Sequence, residues 1–141
     1  MYYVNREQLT VRLSVIPDVT AALRMLGENW DGSLLQGLAQ ERALHLAIET
    51  VTDIGSCLID GFIMRDASSY EDIVEIIGGE QVFPAEIQEP LLELVRLRKP
   101  LVQDYYDWNR ADLHPLTTKL PATLTAFKSA VEAYLVQELG S

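Results

Sequence analysis

The stretch from Ser33 to Gly61, SLLQGLAQERALHLAIETVTDIGSCLIDG, constrains the fold more than any other. Its apolar residues recur at spacings of three and four, the period at which side chains share one face of an α-helix. The spacing predicts one long helix from Ser33 to about Asp60, stopped at Gly61, with Leu34, Leu35, Leu38, Leu46, Ile54 and Leu58 along its apolar side. A helix of that length must lie against several partners to cover its stripe, so a bundle is the economical architecture.

The rest of the chain agrees. No segment alternates with the period of two that a half-buried strand requires, and proline and glycine leave pieces of helical length. Asn5 with Gln8 three residues on resembles a capping box, opening a helix through about Asn29 with Leu9, Leu13, Ile16, Leu23 and Leu26 inward and Pro17 bending it. NWDGS reads as a turn. RDASSYEDIVEIIGG reads as a loop and a short helix, capped by Ser68 with Glu71 or by Ser69 with Asp72, and stopped at Gly78 and Gly79. A fourth helix is expected from near Pro84 to about Trp108, kinked between Arg96 and Pro100 because an interior proline removes a helical hydrogen bond. The last runs from about Pro115 to Leu139, with Leu120, Leu124, Phe127, Val131, Tyr134 and Leu135 on one side. The expectation is an all-α, up-and-down bundle of about five helices in a single domain over residues 1–141, with no repeat or linker.

Charge narrows the partners. Eleven basic residues against 21 acidic give a formal charge of −10, which repels nucleic acid over much of the surface and confines any such contact to a local spot. The densest basic spot is Arg96, Arg98 and Lys99. No apolar run approaches the roughly 18 residues of a membrane span, and MYYVNREQL lacks a signal-peptide pattern, so a cytoplasmic address and no membrane partner are expected. The single cysteine, Cys57, excludes an intramolecular disulfide and reads as a packed small hydrophobe.

Few residue groups carry chemistry. His45, Glu49 and Asp53 are four apart on one helix face, with Asp60 beyond. That stripe suits metal ligands, a solvated face, or acceptors for an arginine on a neighbouring helix. Di-metal carboxylate bundles pair Glu-x-x-His motifs on two helices, and no second helix here carries one, so no metal is expected. His114, beside Pro115 at a helix entrance, reads as a surface residue. No GxSxG, Walker-type or dinucleotide glycine motif occurs.

RLRKPLVQDYYDW, residues 96–108, remains. On a straight helix Arg98 and Tyr105 align after two turns, whereas Gln103 is displaced by about 140° from Arg98. A kink at Pro100 changes that relation. The stretch has two readings: a cleft in which Arg98 clamps a phosphate, or a bent core helix whose Arg96 and Arg98 pair with glutamates while Tyr105, Tyr106 and Trp108 pack.

ERALHLAIETVTDIGSCLIDG, then YEDIVEII, then LLELVRLRKPLVQDYYDWN and a closing amphipathic helix resemble the HepT-like toxins of the HEPN superfamily, over essentially all of residues 3–139. The resemblance implies an all-α bundle that forms a homodimer with the motif facing a shared cleft. It also implies metal-independent ribonuclease activity without a cofactor, and a nucleotidyltransferase antitoxin that in some pairs attaches AMP to the motif tyrosine. The motif is an arginine, commonly followed by Asn or Asp, then a histidine after four intervening residues, one further residue and a tyrosine. Arg98 matches the arginine and Tyr105 the tyrosine, which makes Tyr105 the residue for AMP attachment. Lys99 stands where Asn or Asp is usual, and Gln103 occupies the histidine position.

The expected catalytic set is therefore Arg98, Gln103 and Tyr105, with Arg96, Arg98 and Lys99 binding RNA phosphates and Asp53 orienting Arg98. Glutamine does not titrate where histidine does, and losing general acid–base help costs typically 10²–10⁴-fold. The resemblance thus implies a weakened ribonuclease, or a dimeric helical protein that binds a nucleotidyltransferase-like partner or a nucleotide without catalysis.

Overall fold

A computed structural model describes residues 2–140. Among them all regular structure is helical, and the all-α bundle is the observed fold. Six α-helices follow in order: α1 Arg6–Leu13, α2 Ile16–Asn29, α3 Leu34–Gly61, α4 Tyr70–Gly79, α5 Gln88–Arg96 and α6 Pro115–Leu139. α2 packs along α6 and α3, α3 along α1 and α4, and α4 along α5. Leu9, Leu23, Leu44, Ile48, Ile54, Leu58, Ile77, Leu91, Leu94, Leu120, Leu124 and Phe127 form the fully buried centre.

Three helix starts follow from local chemistry. Asn5 accepts the Gln8 N–H at 3.0 Å, Ser33 the Gln36 N–H at 3.2 Å, and Ser69 the Asp72 N–H at 3.0 Å; each side chain satisfies a donor that the first turn leaves unpaired. For α4, the Ser69–Asp72 alternative is the one formed. The α4 entrance is further fixed by Asp72, whose carboxylate accepts from Arg65 at 2.8 and 2.6 Å and from the Ser68 N–H at 2.9 Å. The Arg65 guanidinium and the Ser68 N–H hold this carboxyl well below the usual carboxylate range.

Two expected helices divide. The first breaks at Ser14 and Val15 into α1 and α2, because Pro17 has no N–H for the Leu13 carbonyl. The fourth, expected to reach Trp108, ends as an α-helix at Arg96 and continues in two short turns described below. Leu34, Leu35 and Leu38 also differ from expectation: they are 69%, 79% and 46% exposed. The inward face of this part of α3 carries Gly37, Gln40 and Leu44 instead, and it receives the loop that follows the motif.

That docking is specific. A Cβ at position 37 would collide with the Arg110 carbonyl oxygen, so only glycine admits the loop this close. Gln40, fully buried, donates to the Asp112 carbonyl at 3.1 Å and accepts from the His114 N–H at 2.8 Å and the Thr117 hydroxyl at 2.7 Å. Arg110 closes a bidentate pair on Glu41, with Nη2 at 2.9 Å from Oε1, and the Trp30 indole N–H reaches the Ala111 carbonyl at 3.2 Å. Residues 109–114 are thereby tied to α3 and to the start of α6.

Candidate functional site

Pro100 sets the geometry of the motif. It cannot donate to the Arg96 carbonyl, so regular α-helix stops there. Lys99–Gln103 instead form one wide turn in which the Asp104 N–H reaches back five residues to the Lys99 carbonyl at 2.8 Å. Such π-type turns are frequent at functional sites because they redirect side chains without ending the helix. Tyr105–Asp107 add a tight turn, and Trp108 leaves in an extended conformation.

The three basic residues of the motif have different surroundings. Arg96 pairs with Glu89 at 3.1 Å and Glu71 at 3.4 Å. Lys99 pairs with Asp104 at 2.7 Å, across the ends of the wide turn. Arg98, at the entrance of that turn, pairs with no carboxylate among the described residues. Its guanidinium carbon lies 4.3 Å from the centre of the Tyr70 ring, and its buried Nε has no hydrogen-bond partner. The core-helix reading therefore holds for Arg96 and not for Arg98.

Gln103 is exposed, as is the Tyr105 ring at 57%. Tyr105 meets Tyr106 edge-on, with centroids 5.8 Å apart, and Tyr106 is 74% exposed. No hydrogen bond joins Arg98, Gln103 and Tyr105. Trp108 alone of the three aromatics packs partly on the core, stacked on His114 at 5.5 Å with its buried Nε1 unpartnered. His114 is partly buried and caps α6, its Nδ1 accepting the Leu116 N–H at 3.0 Å. Burial lowers its pKa, against a smaller opposing pull from Glu93.

Asp53, expected to orient Arg98, lies instead with Arg12 of α1, 3.7 Å from its Nε. His45 and Glu49 face one another at 3.3 Å, and no cluster of three or more His, Cys, Asp or Glu side chains among the described residues could hold a metal ion. Cys57 is half-buried against the core, and desolvation pushes its thiol up. Tyr70, the aromatic partner of Arg98, was missed in the sequence; an aromatic residue opening a short helix carries no signal of its contact with the motif turn. Gln40, Glu41 and Arg110, which hold the chain leaving the motif, also went unread because polar residues at helical spacing look solvated.

A bundle of this topology with an arginine held free of carboxylates at a proline-induced wide turn defines a class, and sequence comparison identifies it. The chain belongs to the HepT-like ribonuclease family: the family model described as "Ribonuclease HepT-like" matches residues 15–131. A relative in Bacillus subtilis (strain 168), described as "Putative RNase YutE", is 35% identical over 140 residues, covering 99% of this chain and 96% of the relative. The solved structure of YutE from Bacillus subtilis, there described as a cytosolic protein of unknown function, superposes with a TM-score of 0.88 at 34% identity, covering 100% of this chain and 97% of that one. No helix among the described residues is long and apolar enough to cross a membrane.

Proposed function

We propose that this chain is a metal-independent ribonuclease of weakened turnover, the toxin component of a toxin–antitoxin pair, in which Arg98 binds an RNA phosphate. The observation that carries the reading is the state of Arg98. Two of the three basic residues in the motif are neutralised by carboxylates, whereas Arg98 is held by an aromatic ring with no carboxylate to compensate its charge. A guanidinium in that state offers paired donors to a phosphate and stabilises the charge that develops in cleavage.

Gln103 limits the chemistry. RNA cleavage through the 2′-hydroxyl needs one group to take a proton and another to return one to the leaving oxygen. The Gln103 amide can orient a phosphate or a hydroxyl by hydrogen bonds and can do neither transfer. Tyr105 presents its phenol to solvent, where a nucleotidyltransferase antitoxin can attach AMP. The exposed Leu34, Leu35 and Leu38 supply apolar surface for a homodimer. A cytoplasmic location agrees with the description of YutE as cytosolic.

The test compares RNA cleavage by wild type, Gln103→His and Arg98→Ala without divalent metal. Slow cleavage by wild type, abolished in Arg98→Ala and raised on the order of 10²–10⁴-fold in Gln103→His, is the expected result. An inert wild type revived by Gln103→His favours the second reading, a dimeric binding protein, which Gln103 itself recommends. Inactivity in all three sinks the ribonuclease reading.

A further inference from the structure

Two consecutive residues at the start of α4 take two arginines of the motif helix by different chemistry. Glu71 takes Arg96 by charge, and Tyr70 takes Arg98 by its ring face. A carboxylate in Tyr70's place would hold Arg98 equally near but would occupy its donors and cancel its charge. An aromatic face fixes the plane of a guanidinium through cation–π attraction and leaves the N–H edge available. Arg98 pairs with no carboxylate, in a chain where Arg65, Arg96 and Arg110 all close on one, and this is the second sign of an arginine kept in reserve for an anion.

The platform is itself immobilised. Tyr70 follows Ser69, which caps α4, and it lies between that cap and Asp72, whose carboxylate is held by Arg65 and Ser68. The clasp fixes the α4 backbone from which the Tyr70 ring projects, and the ring in turn sets the guanidinium. Tyr70 is 44% exposed, so its removal opens no core cavity.

We propose that Tyr70 is the positioning residue for Arg98, orienting an uncompensated guanidinium toward a phosphate of single-stranded RNA. This rests on the reading of Arg98 as an anion site. The test measures binding of a 2′-O-methylated oligouridylate, which cannot be cleaved through its 2′-position, at fixed low salt. Its panel is wild type, Tyr70→Phe, Tyr70→Leu, Tyr70→Glu, Glu71→Gln and Arg98→Ala.

Tyr70→Phe, which keeps the ring face, and Glu71→Gln, which loosens only Arg96 and leaves it paired with Glu89, are expected to bind within about twofold of wild type. Tyr70→Leu is expected to bind about 3- to 10-fold more weakly with an unchanged melting temperature. Tyr70→Glu, whose carboxylate suits the first turn of a helix and so preserves the fold, is expected to bind at least as weakly as Tyr70→Leu. Wild-type affinity in both Tyr70→Leu and Tyr70→Glu, while Arg98→Ala loses binding, overturns the role of Tyr70 and leaves the anion site standing. A Tyr70→Phe as weak as Tyr70→Leu overturns it too, because the hydroxyl rather than the ring face would then matter. Wild-type affinity in Arg98→Ala overturns the anion site and this inference with it.

Discussion

The motif turn and the loop that follows it are neighbours in sequence and opposites in construction. In the loop, Gln40 spends its amide on three partners, Arg110 closes on Glu41, and Trp30 reaches Ala111. In the turn, Arg98 keeps an unpartnered Nε and a charge without a carboxylate, and Tyr105 and Tyr106 face solvent. Satisfied polar groups stabilise and unsatisfied ones cost. The loop therefore carries stability, and the turn keeps a positive charge that no carboxylate compensates. The adjoining loop shows how firmly the uncompensated charge is framed.

The contrast breaks most visibly at Gln40. Gln40→Leu keeps the volume but leaves the His114 N–H, the Thr117 hydroxyl and the Asp112 carbonyl without partners. The expected loss is about 3 kcal/mol, read as a fall in melting temperature on the order of 10 °C. Arg98→Met sharpens the other side. It removes a buried unpaired donor together with a modest cation–π contact, two effects of opposite sign. The melting temperature should stay within about 3 °C of wild type, while oligonucleotide binding falls to background. A large destabilisation in Arg98→Met would place the turn with the loop as a structural element.

The smallest effect is a pH dependence at the junction of the two regions. His114 accepts the Leu116 N–H through Nδ1, and burial lowers its pKa below the ordinary 6.5. The unfolded chain then binds a proton at higher pH than the folded one. His114 thus contributes stability that is complete above about pH 6.5 and declines as pH falls from there toward the folded pKa. His114→Asn retains a capping oxygen without the titration, and should flatten the stability curve across that window. Asp72 acts in a separate range: its lowered pKa gives stability that is lost only below the ordinary carboxylate value of 3.8. Denaturant unfolding between pH 7 and 5 isolates the first effect.

Much of the fold could be read from the chain because helix boundaries obey local chemistry. Asn5, Ser33, Ser69, Gly61 and Pro115 mark ends that need no knowledge of the tertiary structure. The breaks at Ser14 and after Arg96 follow from proline removing a backbone donor, but the sequence does not say whether the chain will bend or stop. Leu34, Leu35 and Leu38 were misassigned to the core because hydrophobic pattern finds apolar residues and not apolar neighbours. The face beside them is built from Gly37 and Gln40 to receive a loop. At the site, Arg98, Gln103 and Tyr105 were located through family resemblance. The distribution of charge around them depends on Glu71, Glu89, Asp104 and Tyr70, and two of these come from α4. Asp53 shared a face with His45 and Glu49 as expected, yet the nearer Arg12 claimed it.

The Gln40 knot also has a meaning in time. Its three hydrogen bonds join segments 72 to 77 residues apart along the chain, and contacts of such long range form only after their loops have closed. The helices can condense before this happens, because their caps and stripes are local or pairwise. The segment leaving the motif turn settles only when α3 and the entrance of α6 already lie side by side. The motif turn is thus expected to acquire its fixed setting late in folding, after the helical scaffold has formed.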